Sequence, residues 1–348
     1  MSQQSLNPIS WMLFFLLSLA GVGLLQAQAD TTFYYSWYDT PQTPSAVHVV
    51  FDASQSSFFS GQLSEYYENG QLKAQGEINN GWRMGSWKIW DANGSLIHQR
   101  TYAHPGSYVI DYPAPPRKGP AQLFNIQREL KRENSLIRYT NVKEYEVYWE
   151  KRLWLDLMPV DNPLLFEDDR LFQHLERALE REKPPRAYDG ETDNFKYELS
   201  LEETQRILAR EKDNIVGIRL KTIWFFSKIT QCMDRRIIGL ALLRETSRGR
   251  LEPILWFYYP EIRPLLAEIP VNTSDDIFPV QQLEDHFHFW AFNGQIVKES
   301  NVRDLYFDEY LTSEEELKNI HRDVLLNIYQ FEHNVWQLFN QGQSMLDK

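Results

Sequence analysis

The sequence has a single cysteine, a negative net charge and none of the common nucleotide-binding loops. Cys232 is the one cysteine among 348 residues, so no internal disulfide can form, and we expect it to be a small buried side chain. The chain has 36 Lys and Arg against 48 Asp and Glu, a formal net charge of −12. Nucleic acid and anionic lipid repel such a chain, which excludes both as main partners. Walker A, Gly-x-Gly-x-x-Gly and Gly-x-Ser-x-Gly sequences are all missing, so the common nucleotide loops and the hydrolase elbow are excluded.

The first 29 residues contain no charged side chain, and Asp30 is the first charged residue of the sequence. Residues 11–25 are almost wholly apolar, and this run is shorter than the roughly 20 residues that a spanning helix needs. Ala27-Gln28-Ala29 matches the small-x-small pattern that precedes cleavage of a secretory signal. We therefore predict a signal peptide over 1–29 and export to the periplasm, with an uncleaved anchor as the alternative.

Three Asn-Gly pairs punctuate residues 61–97, where short runs rich in aromatic residues alternate with turns. Asn-Gly favours the type I′ turn of a β-hairpin, and Asn69-Gly70-x-Leu72 returns as Asn93-Gly94-x-Leu96. These pieces resemble the MORN-type repeat of YwqK-like proteins. The resemblance predicts a small antiparallel module over 61–103 after a lead-in segment at 30–60. An array this short buries little apolar surface, so we expect it to pack against another part of the chain. Its aromatic core is expected to comprise Tyr67, Trp82, Trp87 and Trp90.

The next stretch, 104–120, contains five prolines, which predicts a semi-rigid linker to a second domain at 121–348. In that domain the patterns predict helices over 121–134, 142–155, 171–181, 200–210, 260–268 and 280–289, and strands over 215–226, 235–243, 253–259 and 290–298. Apolar residues at steps of three and four after Glu314 predict a long C-terminal helix. The predicted fold class is α+β, with a central antiparallel sheet.

Eight pieces of the C-terminal two thirds, taken in order, resemble the GldN/PorN family of gliding motility and type IX secretion. They are Asn141-Val-Lys with Tyr148-Trp149-x-Lys151-Arg152-x-Trp154, Asn162-Pro163-Leu164, Arg186-Ala187-Tyr188-Asp189, Lys221-Thr-Ile-Trp224, Arg236-Ile-Ile-Gly239, Leu255-Trp256-Phe-Tyr258-Tyr259-Pro260-Glu261-x-Arg263, Ile296-Val-Lys298-Glu299-Ser-Asn301 and Phe331-Glu332-His333-x-x-Trp336.

The resemblance implies a non-enzymatic structural component of a periplasmic ring, associated with the outer membrane and without a cofactor. The implied partners are a GldK/PorK-like lipoprotein, further copies of the chain in the ring, and a GldM/PorM-like motor protein. A MORN-type module is not a usual part of the family. The alternative is therefore a divergent paralogue that uses this module to bind cell wall or a protein ligand.

Aromatic and arginine side chains dominate binding hot spots, and the family-like pieces are rich in both. The predicted partner interface or structural motif comprises Trp149, Arg152, Trp154, Trp256, Tyr258, Tyr259, Arg263, Lys298, Glu299 and Asn301. Trp256 and Tyr258 would equally suit a core, and Arg263 and Lys298 need an interface or an internal salt bridge.

His286 and His288 could share a metal ion only on a strand, where i and i+2 side chains lie on one face. No third ligand is evident near them in the sequence. We predict no metal site, no cofactor and no catalytic residue.

Overall fold

The computed structural model describes most of the chain between residues 31 and 340. The described residues are 31–33, 47–53, 60–113, 125–126, 130–167, 170–271, 280–311 and 313–340. The predicted signal peptide lies outside them, as does the part of the predicted linker at 114–120.

Eight antiparallel strands form the first sheet, and each pairs with the next one along the chain. They are Thr31–Phe33 (β1), Val47–Ala53 (β2), Gly61–Tyr66 (β3), Leu72–Asn79 (β4), Trp82–Trp90 (β5), Leu96–His104 (β6), Ser107–Tyr112 (β7) and Asn125–Ile126 (β8). Between β4 and β5, Asn80 and Gly81 have φ of 47° and 72°, the two positive values that a type I′ turn requires. The predicted antiparallel hairpin sheet is confirmed.

This sheet extends beyond the predicted bounds of the module on both sides. β1 and β2 come from the predicted lead-in segment, and β7 lies in residues predicted as linker. Pro105-Gly106 forms the two-residue turn between β6 and β7. Proline presets φ and Gly106 supplies a φ of 71°, so the pair reverses the chain and does not start an extended connection.

A second antiparallel sheet has six strands in the order β12-β15-β14-β13-β11-β16. They are Val147–Leu157 (β11), Ala187–Asp189 (β12), Ile215–Ser227 (β13), Cys232–Glu245 (β14), Leu251–Tyr258 (β15) and Gln295–Glu299 (β16). A separate small hairpin comprises Arg132–Glu133 (β9) and Leu136–Ile137 (β10).

The helix predicted over 142–155 is wrong, because β11 is a strand that pairs with β13 along its length. Leu153, Trp154 and Leu155 are all buried, since both faces of the sheet are covered there. A run of consecutive apolar residues does not distinguish such a strand from a helix. The helix predicted over 121–134 is also wrong where the structure describes that range, which contains β8 and β9.

The α-helices of the described residues are Pro163–Phe166 (α1), Arg170–Ala178 (α2), Leu201–Glu211 (α3), Tyr259–Leu266 (α4), Leu283–His288 (α5) and Glu314–Asn340 (α6). The last is the predicted long C-terminal helix, and the α+β fold class with a central antiparallel sheet is confirmed. None of the helices described between residues 31 and 340 combines the length and apolar composition that crossing a bilayer requires.

Helix α6 packs between the two sheets. One continuous cluster of buried apolar side chains includes Leu63 and Trp87 of the first sheet, Trp336 of α6 and Leu153 of the second sheet. The first sheet therefore shares its core with the rest of the chain. This agrees with the expectation that so few repeats need to pack against another part of the protein.

Candidate interaction sites

A set of buried charged side chains joins the first sheet to α6. We call it the junction network; it consists of Glu65, Lys73, Arg83, Glu332 and His333, whose side chains are at most 5% exposed. Lys73 Nζ lies 2.6 Å from Glu65 Oε1, and Glu65 Oε2 lies 2.6 Å from His333 Nδ1. Arg83 donates from Nη1 to His333 Nε2 at 2.9 Å and from Nε to Glu332 Oε2 at 2.7 Å. The charges of the sheet and the helix thus neutralise one another across the contact.

The network fixes the protonation state of His333. Because arginine only donates, Nε2 accepts from Arg83, and the ring proton lies on Nδ1 and is donated to Glu65. Burial, together with the adjacent Arg83 charge, lowers the pKa of His333 to about 4, so the ring is neutral at pH 7. Burial alone would raise the pKa of Glu65, but Lys73 and His333 outweigh it and hold that pKa at about 2.

Three buried arginines, Arg83, Arg100 and Arg235, lie against aromatic rings at the same contact. The guanidinium carbon of Arg83 is 4.0 Å from the ring centroid of Trp87, and that of Arg100 is 4.1 Å from Trp336. Arg235 is enclosed by three indoles, at 4.6 Å for Trp82, 4.9 Å for Trp224 and 4.3 Å for Trp290. Desolvated cation–π contacts of this kind are worth about 2 kcal/mol each, and those of Arg100 with Trp336 and of Arg235 with Trp82 join the module to the domain.

The expectation that the tryptophans of the module form a core of its own needs correction. Trp82 donates from Nε1 to the Phe289 carbonyl oxygen at 3.3 Å, and the ring of Trp87 lies 5.2 Å from that of His333. Tyr67 OH accepts from Gln337 Nε2 at 2.8 Å. The aromatic side of the module is therefore directed at α6 and the domain, because too few strands are present to cover it from within.

A small cavity lies beside the junction network and is lined in part by Arg83, Trp224 and Arg235. Its volume is about 30 Å³, which is room for about one water molecule. This cavity is therefore of a size that solvent fills.

One face of the second sheet forms a second candidate site. Along β11, Leu153, Leu155 and Leu157 join the main core, whereas Trp154 belongs to a separate small cluster on the opposite face. We call that opposite face the cation–aromatic face. Its residues are Trp154, Asp156, Tyr188, Arg219, Lys221, Trp256, Tyr258 and Lys298.

Strand pairing brings four of the predicted interface residues together on this face. One cross-strand row reads Lys298, Trp154, Lys221, Gly239 and Tyr258, and the next reads Asp156, Arg219, Ala241, Trp256 and Tyr188. Phe195 occupies the space that Gly239 leaves open, since a Cβ there would lie 2.6 Å from Phe195 Cζ. Its ring meets those of Tyr188 and Tyr258 edge-on.

Two loops supply carboxylates to the lysines of the cation–aromatic face. Asp193 Oδ1 lies 2.9 Å from Lys221 Nζ, and Asp193 Oδ2 accepts from Trp154 Nε1 at 2.6 Å. Asp304 Oδ1 lies 2.6 Å from Lys298 Nζ, which is also 4.4 Å from the Trp154 ring. The two lysines therefore flank one tryptophan, and each has an aspartate from outside the sheet.

Sequence reasoning missed Arg219, Lys221, Asp193 and Asp304. The spacing of Arg219 and Lys221 by two residues in a strand is a signal that could have placed both cations on one face. Asp193 lies 28 residues before Lys221, and Asp304 follows Lys298 by six residues across a loop, so neither pair has the fixed spacing of a helix or a strand.

The other predicted interface residues lie elsewhere. In α4, Tyr259 is fully buried, and Arg263 donates from Nε to Glu284 Oε1 at 2.6 Å, which gives it an internal salt bridge. Trp149 is half-buried and stacks on Phe331 with ring centroids 4.9 Å apart. Arg152 pairs with Glu150 on the surface, and Glu299 forms a partly buried pair with Lys151. Asn301 donates from Nδ2 to Glu299 O and Leu305 O, which shapes the loop that carries Asp304.

The remaining titratable candidates are built into the core. Cys232 is buried, as expected, and burial raises the pKa of its thiol to about 12. His286 and His288 lie in α5 and not on a strand, and burial lowers the pKa of His286 to about 4. In the part of the chain that the structure describes, no three His, Cys, Asp or Glu side chains are grouped so that they could hold a metal ion.

A hairpin sheet docked on a larger α+β domain defines a two-part protein whose first part carries a MORN repeat variant, matched over residues 60–80. The family described as gliding motility associated protein GldN matches residues 142–337, which spans the second sheet and most of α6. The chain belongs to the GldN family. Membership implies a component of gliding motility or type IX secretion machinery and an association with the cell envelope. No curated protein sequence matches the chain.

Proposed function

We propose that this protein is a non-enzymatic structural subunit of the periplasmic ring of the type IX secretion and gliding machinery. In this role it binds a GldK/PorK-like outer-membrane lipoprotein, associates with further copies of itself, and meets a GldM/PorM-like motor protein. The proposal is carried by the family match, which covers the whole of the second sheet together with most of α6.

The contacts that the buried titratable groups make within the protein support a structural role. His333, Glu65 and Glu332 are held in ion pairs and hydrogen bonds at the junction, and Cys232 has a pKa far above the range in which a thiolate forms. A nucleophile or a general base needs an accessible group with a pKa near the working pH. These side chains instead hold the two sheets together.

Recovery of the partner from the envelope tests the proposal. An affinity-tagged full chain, cross-linked in cells and purified from envelope fractions, should bring down a GldK/PorK-like lipoprotein together with untagged copies of the chain. Recovery of the chain alone, under conditions that preserve other envelope complexes, contradicts the ring role.

The alternative, in which the MORN-type module binds cell wall or a protein ligand, has less support because Trp82 and Trp87 of the module are used at the junction. Its outward side is polar, with Gln75 donating to Ser64 and Thr101 to Asp111. Deleting the module would uncover buried charges of α6, so a surface variant is the sharper test. Thr101→Lys with Gln75→Lys should leave secretion intact if the ring proposal holds, and loss of function with unchanged stability would favour the alternative.

A further inference from the structure

The first half of β11 lies at the border of the second sheet. On one side, β11 pairs with β13 along its whole length. On the other side, β16 pairs only with residues 153–156, and its chain leaves β11 where the Ser300 N–H donates to the Arg152 carbonyl oxygen at 2.9 Å. No strand of the described residues pairs with 148–151 on that side, and we call these four residues the open edge.

The backbone groups of Glu150 point out of the open edge. In an antiparallel strand, the N–H and C=O groups of alternate residues point to the same side. Both groups of Arg152 face the β16 side, since its N–H donates to Ser300 Oγ at 3.4 Å and its carbonyl oxygen accepts from the Ser300 N–H. The backbone groups of Lys151 therefore face β13. Those of Glu150 point away from the sheet, where no described strand meets them.

Exposed apolar side chains lie at one end of the open edge. Tyr145 and Tyr148 are 67% and 46% exposed, and Ile229 in the turn between β13 and β14 is 56% exposed. This turn lies beside the start of β11, because the Lys228 N–H donates to the Glu146 carbonyl oxygen at 2.8 Å. Single exposed apolar residues are ordinary on a protein surface, but a group of them beside unpaired strand backbone is typical of an interaction surface.

The open edge is also held rigidly from within the protein. Phe331 of α6 stacks on Tyr148 and on Trp149, with ring centroids 6.3 Å and 4.9 Å apart. Tyr148 meets Phe226 of β13 edge-on. Because β13 and α6 fix the strand and its aromatic rings in advance, a partner that binds here loses little affinity to the ordering of this side.

We propose that the open edge accepts an extended segment of another envelope protein as an added β-strand. The backbone of the occupant defines it, because unpaired N–H and C=O groups of a strand are matched by a second strand. The added strand continues the line of β16 past Arg152, where a turn built on Asn301 takes this chain away from the sheet. Beside Tyr148 it carries an aromatic or β-branched side chain, since such cross-strand pairs are favourable. The inference rests on the proposed function only in taking the strand from a protein of the same assembly.

Hydrogen exchange of the purified full chain tests whether the edge is open. The Glu150 amide should exchange at least about a hundredfold faster than the Lys151 amide, because only the second is bonded within the sheet. Fragmentation by electron transfer and mass spectrometry resolves the two amides. A protected Glu150 amide would mean that another part of the chain covers the edge, and it overturns the proposal.

A photo-cross-link in cells tests whether a strand is added. Tyr145→p-benzoylphenylalanine is introduced into the full chain alone, with E150P and with E150A. Proline removes the outward N–H and places its ring where the added strand would lie, but the ladder with β13 keeps its bonds. Alanine leaves the edge backbone unchanged. We expect E150P to lower the yield of cross-linked partner about tenfold, and E150A to change it by less than about twofold.

A matched control places the same photo-reactive residue at Val160, which is 86% exposed and lies beyond the other end of β11. E150P should leave any product from this position unchanged. A Tyr145 product that survives E150P, or that E150A also removes, overturns the proposal, as does the absence of any Tyr145 product.

Urea denaturation of purified E150P and E150A checks that both variants fold as the wild-type chain does. Where E150P proves less stable, the Glu150 amide is compared in the free chain and in the purified Tyr145 cross-linked product. Exchange at least about tenfold slower in the product supports the added strand, and equal rates overturn it.

These outcomes differ from those that test the ring role. Recovery of the lipoprotein together with a Tyr145 product insensitive to E150P refutes the added strand alone. A product that E150P removes, formed with a protein outside the proposed assembly, keeps the added strand and counts against the ring role.

Discussion

Glu332→Gln should weaken the contact between the two sheets, and lower the free energy of unfolding, more than any surface substitution does. Glu332 accepts from Arg83 Nε at 2.7 Å and from the Met233 backbone N–H at 3.1 Å. Glutamine keeps the shape and one acceptor but leaves the buried Arg83 without its anion. Removing one partner of a buried ion pair costs about 3–5 kcal/mol, because the remaining charge stays in a medium of low dielectric. Arg83 keeps its contacts with Trp87 and His333, so we expect a loss of about 3 kcal/mol in the free energy of unfolding.

Urea denaturation followed by tryptophan fluorescence measures this loss. R83M should cost a similar amount, whereas E332Q/R83M should cost clearly less than the sum of the two, because no unpaired charge is left. Arg152→Met is the matched control: its ion pair with Glu150 is about half exposed, and its loss should cost less than about 1 kcal/mol. Additive losses, or a cost for E332Q no larger than that of the control, would refute the argument that the junction network joins the sheets.

Three further predictions follow from the same structure. Gly239→Ala should lower stability by about 1–3 kcal/mol in thermal denaturation, because its Cβ meets the Phe195 ring, and adding Phe195→Ala should recover part of the loss. On acidification the free energy of unfolding should fall first between about pH 6.5 and 4, because His333, whose pKa is about 4 in the fold, takes up its proton more readily when unfolded. It should fall further between about pH 4.5 and 2 as Glu65, whose pKa is about 2 in the fold, is protonated, and urea midpoints that stay constant from pH 7 to 3 would contradict both steps. Cys232 should resist thiol reagents in the native protein, and rapid labelling without denaturant would be inconsistent with its burial and its raised pKa.

Local chemistry made part of the fold predictable. Two residues, Asn80 and Gly81, are enough to predict the turn between β4 and β5. Four residues predict the capping box at the start of α3, where Ser200 Oγ accepts from the Glu203 N–H at 3.2 Å and Glu203 Oε2 accepts from the Ser200 N–H at 3.0 Å. Both motifs are satisfied by neighbours in the chain, so the sequence alone carries them.

Long-range pairing could not be predicted in the same way. Arg83 and Glu332 are 249 positions apart, and each would be assigned to a solvated surface by its residue type alone. The second half of β11, residues 153–157, lacks the alternation that identifies a strand because it is buried on both faces, and its pattern therefore also fits a helix. On the cation–aromatic face, Trp154 and Lys298 were found from family-like pieces, but their aspartate partners depend on how two loops fold over the sheet.

The position of α6 also determines when, during synthesis of the chain, the first sheet can complete its packing. Because this last helix supplies Glu332 and His333 to the first sheet, the strands made earliest cannot bury Arg83 and Glu65 until the final segment is in place. In a chain cut short before residue 332, Arg83 and Glu65 lack these partners, and we expect proteases to cut the first sheet faster. The first sheet therefore reaches its native packing only after α6 has been made.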